Sequence, residues 1–68
     1  MTVAAQVKGT LVTLKGIEST LSLLSLQAKD HTARNCYHQA ALKTRTVIGE
    51  MEQRVAFIER EEPQYKGN

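Results

Sequence analysis

The sequence predicts an all-α protein. We expect an antiparallel two-helix hairpin, about residues 3–28 and 31–61, with a short extended C-terminal tail, dimerising to a four-helix bundle. Three observations lead there. Apolar residues recur at alternating spacings of three and four through two long segments. A short polar stretch, Lys29-Asp30-His31-Thr32, separates the segments. Pro63 closes the second, because a proline lacks the N–H and disfavours helical geometry at Glu62 before it.

The first helix is read from the stripe Val3, Val7, Thr10, Leu14, Ile17, Leu21, Leu24 and Ala28, in which Thr10 alone is polar. Thr2 is a suitable N-cap, its hydroxyl able to accept from the first free N–H groups. A helix over 3–28 is about 39 Å long at 1.5 Å per residue. A strand reading competes, since Thr10–Leu14 sits between Gly9 and Gly16 and the leucines around Ser22 and Ser25 alternate. The alternation slips between Leu23 and Leu24, and no hairpin dipeptide joins the two runs, so helix prevails.

A second stripe, Ala5, Gly9, Val12, Gly16, Ser19, Leu23 and Leu26, lies nearly opposite the first. Glycine inside a helix costs about 1 kcal/mol relative to alanine, so two of them one heptad apart ask for a reason. Close approach of another backbone supplies one. The expected interface between copies is therefore Gly9, Val12, Gly16 and Leu23, with the flanks at Leu11 and Val47 as the fallback.

Asp30 is the expected N-cap of the second helix and stands i to i+4 from Arg34. The connection is short, so the helix turns back antiparallel. Its stripe runs Tyr37, Ala41, Thr44, Ile48, Met51, Val55 and Ile58, widened by Ala33, Ala40 and Val47. Lys43, Arg45, Glu50, Glu52, Glu59 and Arg60 form a solvated face, on which Glu50 and Arg54 make an i,i+4 pair. The helix is about 46 Å long.

With 68 residues, the chain is one domain, residues 1–68. So short a chain with three aromatic residues builds a small core and gains stability from association. Residues 1–49 carry six positive and two negative charges; residues 50–68 carry three positive and five negative. Antiparallel pairing sets the acidic end of the second helix beside Lys8 and Lys15. The cluster Glu59, Glu61 and Glu62 opposes the helix macrodipole and calls for such a basic contact.

Chemistry is sparse. His31, Cys36 and His38 carry the obvious ligand or nucleophile potential, but their spacing matches no zinc or redox motif. Ser19, Ser22 and Ser25 have no neighbouring base. No catalytic, cofactor or metal residue is assigned, and no small-molecule substrate is expected. The basic group Lys29, Arg34, Lys43 and Arg45, with Tyr37 beside it, offers a small nucleic-acid footprint. At a pI of about 8.9 the chain falls below the strongly basic range of such domains, so nucleic acid is disfavoured. The apolar runs fall short of the roughly 20 residues a membrane span needs. One unpaired cysteine and the absence of a basic-then-apolar leader point to a reducing, intracellular compartment. In the tail, Pro63 and Tyr65 are candidate recognition residues.

Met1 to Lys8, the stretch Leu14-Lys15-Gly16-Ile17-Glu18, and the ending Arg54-Val55 with Ile58-Glu59-Arg60-Glu61-Glu62-Pro63-Gln64-Tyr65-Lys66-Gly67 resemble a small protein family of spore-forming Firmicutes. It is the domain of unknown function numbered 1657. The resemblance spans essentially the whole chain and implies a sporulation setting. Genes of the family lie near those for spore membrane proteins of the SpoVA and YetF types, and a similar domain occurs joined to a membrane protein. No enzyme activity is implied. The expected function is a non-catalytic interaction module that forms a homodimer or higher oligomer. It docks a spore membrane protein from the cytoplasmic side, in forespore or spore at the inner membrane surface. The alternative is a small nucleic-acid or spore-core binding protein using the basic turn end.

Overall fold

The computed structural model describes residues 2–61. Helix α1 spans Val3–Gln27 and α2 spans His31–Glu61. They pack side by side as an antiparallel hairpin 49 Å long and 17 by 11 Å across. Among the described residues there is no strand, so the glycine-flanked run Thr10–Leu14 is helical.

Both helix starts are capped by the expected residues. The Thr2 hydroxyl accepts from the Ala5 N–H at 3.1 Å, and the Asp30 carboxylate accepts from the Ala33 N–H at 2.9 Å. The first helix ends one residue earlier than expected. Ala28 still donates its N–H to the Leu24 carbonyl at 2.9 Å, but its ψ of 130° is extended.

The Arg34 guanidinium explains that corner. Its Nε and Nη2 donate to the Ala28 carbonyl at 3.3 and 3.0 Å. A cation thus meets a carbonyl that the end of α1 leaves without an intrahelical donor. This replaces the expected i,i+4 pairing of Arg34 with Asp30, whose carboxylate is committed to the cap. Ser25 adds a hydrogen bond from its hydroxyl to the Arg34 carbonyl at 3.4 Å.

On α2 the expected stripe is the packed one. Ala41, Ile48 and Val55 are buried, and Tyr37, Thr44, Met51 and Ile58 are half-buried. Leu11, Ile48 and Val55 form the core cluster, with Val7, Leu14 and Met51 packed against it. Val47 does not widen the seam; it is 42% exposed.

On α1 the seam differs from the expected stripe at every second position. Val7, Leu14, Leu21 and Ala28 face inward, but Val3, Ile17 and Leu24 are exposed, as is Thr10. Their places are taken by Ala4, Leu11, Glu18 and Ser25, all buried or half-buried. Ala4 is fully buried, small enough to let the helices approach near the open end. Glu18 and Ser25 are tolerated inside because α2 supplies their partners, Arg45 and the Arg34 carbonyl. Leu11 belongs to this intrachain core and is only 7% exposed, so it is not an available flank for a second copy.

Candidate interaction surfaces

The hairpin has two unlike edges. Along one run three cross-helix ion pairs: Lys8 with Glu59, Lys15 with Glu52 at 3.1 Å, and Arg45 with Glu18 at 2.8 Å. They join the basic side of α1 to the acidic end of α2, as the charge split implies. Arg45, Glu52 and Glu59 are therefore ties to α1 and not simply a solvated face. Glu61 makes no ion pair among the described residues.

The rest of α1 is uncharged. Lys8, Lys15 and Glu18 are its charged residues, and all three belong to the paired edge. Outward from the seam stand Val12 at 71%, Leu23 at 52% and Leu26 at 82% exposure. Gly9 and Gly16 share this face, and a Cβ built on either meets no atom within 4 Å. Nothing in the hairpin itself requires a glycine at these positions. Beside Gly9 and Gly16 the Thr13 hydroxyl is folded back onto the Gly9 carbonyl at 3.3 Å, which lowers the polarity of the surface there.

On α2 an open groove is lined by Val47, Glu50, Met51, Gln53, Arg54 and Phe57. Phe57 is 53% exposed, with the Arg60 guanidinium carbon 5.9 Å from its ring centroid. The expected Glu50–Arg54 pair is not formed; both residues are exposed and neither has an ion pair among the described residues. Sequence periodicity missed this groove because the residues beside it read as charged surface.

The remaining sequence candidates do not converge. His31, Cys36 and His38 are exposed, and no group of three potential metal ligands occurs among the described residues. The basic turn end is partly consumed, Arg34 by the Ala28 carbonyl and Arg45 by Glu18. No described helix is long and apolar enough to cross a membrane. Pro63 and Tyr65 lie outside the described residues.

Residues 7–55 match a family described as a protein of unknown function, DUF1657. The chain belongs to this family. The DUF1657 match covers the whole corner and most of both helices, including the seam from Val7 to Val55. It also takes in all four glycine-face residues, Gly9, Val12, Gly16 and Leu23. Neither a curated protein nor a solved structure matches the chain.

Proposed function

We propose that the chain is a non-catalytic interaction module that self-associates through the outer face of α1 and docks a membrane-protein partner in the spore. One observation carries the self-association: the three charges of α1, Lys8, Lys15 and Glu18, are all taken up in ion pairs with α2, while Val12, Leu23 and Leu26 stand exposed with nothing in the hairpin to cover them. Exposed apolar side chains that recur along one side of a helix, with small residues between them, offer another helix a surface to cover. A two-fold-related copy is the commonest way for a small chain to cover one. Open space at Gly9 and Gly16 suits close approach of another helix. The spore setting, on the cytoplasmic side of the inner membrane, rests on the family resemblance alone.

Light scattering on the full chain at micromolar concentration tests the reading. A helical dimer or higher oligomer is expected, weakened by Gly16→Leu. A folded monomer at these concentrations overturns it. Docking is tested separately, with a tagged chain recovered from sporulating cells. A membrane protein retained by the parent chain and lost from Leu23→Asp is the expected result.

A further inference from the structure

The α2 groove belongs to a longer stripe whose chemistry is self-complementary. Lys43, Val47, Glu50, Arg54, Phe57 and Glu61 follow one another at spacings of four, three, four, three and four. This is the spacing of a helix-packing seam, separate from the one that holds the hairpin. All six side chains are exposed. Val47 and Phe57 are exposed hydrophobics, and none of the four charged members has an ion-pair partner among the described residues.

The order of these residues identifies the occupant. A second α2 laid antiparallel, with its two-fold axis at the level of Glu52, brings Lys43 opposite Glu61 of the other copy. Val47 then meets Phe57, and Glu50 meets Arg54. Every basic residue faces an acidic one and every apolar residue faces an apolar one. A sliding shift by one heptad destroys the match, placing Glu50 opposite Val47 and Lys43 opposite Arg54. An isologous contact requires one surface to complement itself in this way. Sheet pairing or a heterologous contact imposes no such requirement.

We infer that α2 carries a second homotypic interface, in which the stripe from Lys43 to Glu61 packs antiparallel on its counterpart in another copy. It is distinct from the α1 face and stands whether or not that face self-associates. With both in use, the assembly exceeds a dimer. With only this one, α1 remains open to a different protein.

Charge reversal tests it on the full chain. Glu50→Arg places like charges against Arg54 of the other copy, and Arg54→Glu does the same against Glu50. Each variant alone should self-associate at least about tenfold more weakly in low salt. Mixed in equal amounts, the two should recover association, because every Arg then faces a Glu across the interface. Repulsion within one helix cannot be relieved by mixing, so the recovery isolates the contact between chains. Sedimentation of each variant and of the mixture, with circular dichroism to confirm that each remains helical, gives the readout. Unchanged association in both single variants, or a mixture no more associated than its components, overturns the inference. Gly16→Leu, read in the same experiment, reports on the α1 face alone, so the two surfaces fail or succeed separately.

Discussion

Arg45 of α2 donates from both Nε and Nη2 to a single oxygen of Glu18 on α1, at 3.1 and 2.8 Å. Glu18 holds a seam position between Leu14 and Leu21, yet only 22% of its side chain is exposed. A half-buried carboxylate with two charge-assisted hydrogen bonds is better held than an ordinary surface pair. We expect Arg45→Ala to lower hairpin stability by about 1 kcal/mol, against less than about 0.5 kcal/mol for Lys15→Ala, whose partners are half or more exposed. Urea titration followed by circular dichroism compares them; equal losses would show that the seam placement contributes nothing.

Replacing Ile48 with alanine should be the most damaging of the substitutions considered. Ile48 is 6% exposed and packs in the cluster with Leu11 and Val55. Removing its branched side chain is expected to cost about 2–4 kcal/mol. For a core this small, that is a large share of the total. A melt of Ile48→Ala against Val12→Ala, at concentrations below association, checks it: the exposed Val12 site should lose little.

The corner has its own expected cost. Asp30→Ala removes the cap on the Ala33 N–H and should destabilise by about 1 kcal/mol, while Asp30→Asn retains most of the cap. Thermal melts of the two variants side by side distinguish capping from net charge. If both lose the same amount, the hydrogen bond is not the reason Asp30 stands there.

Gly49 offers a control for the glycine face. It is half-buried, inside α2, and a Cβ there meets nothing within 4 Å. Gly49→Ala should raise stability by about 1 kcal/mol through helix propensity and leave particle mass unchanged. Gly16→Leu should instead reduce mass. A Gly49 variant that alters mass would place an interface where neither surface described above lies.

Duplex DNA should bind only weakly at physiological salt, because Arg34 and Arg45 are engaged within the hairpin. Fluorescence anisotropy with a labelled duplex measures this. Submicromolar binding that vanishes in the Lys43→Ala, Arg45→Ala double variant would favour the nucleic-acid reading instead.

The packed stripe of the second helix was legible in the sequence, and that of the first only in part. In α2 the row from Tyr37 to Ile58 is the one without a charged member, since charged residues separate Val47 from Phe57 on the other stripe, so the inner face is marked. In α1, Ile17, Leu23, Leu24 and Leu26 spread apolar character around the helix, and periodicity cannot choose among faces that are all apolar. The true seam also contains Glu18 and Ser25, which look misplaced until their partners across the hairpin are known. Their signal lay in α2, in Arg45 and in the Arg34 carbonyl, and nothing in local spacing points there. The caps at Thr2 and Asp30 were readable because they depend on neighbours a few residues away. The candidate surfaces were half legible: the glycine spacing marked one, while the α2 stripe was hidden by its charges, whose arrangement has meaning only against a second copy.

The clasp between Arg34 and the Ala28 carbonyl bears on how the chain folds. Contacts across the hairpin span ever longer stretches of chain with distance from this corner: nine residues for Ser25 and Arg34, 27 for Glu18 and Arg45, and more for Lys15 with Glu52 and Lys8 with Glu59. Closing the shortest loop first costs the least entropy, and each contact made shortens the loop needed for the next. The hairpin should therefore close from the corner outward. Substitutions at Asp30 and Arg34 are expected to slow folding, whereas those at Ala4 and Lys8 chiefly speed unfolding.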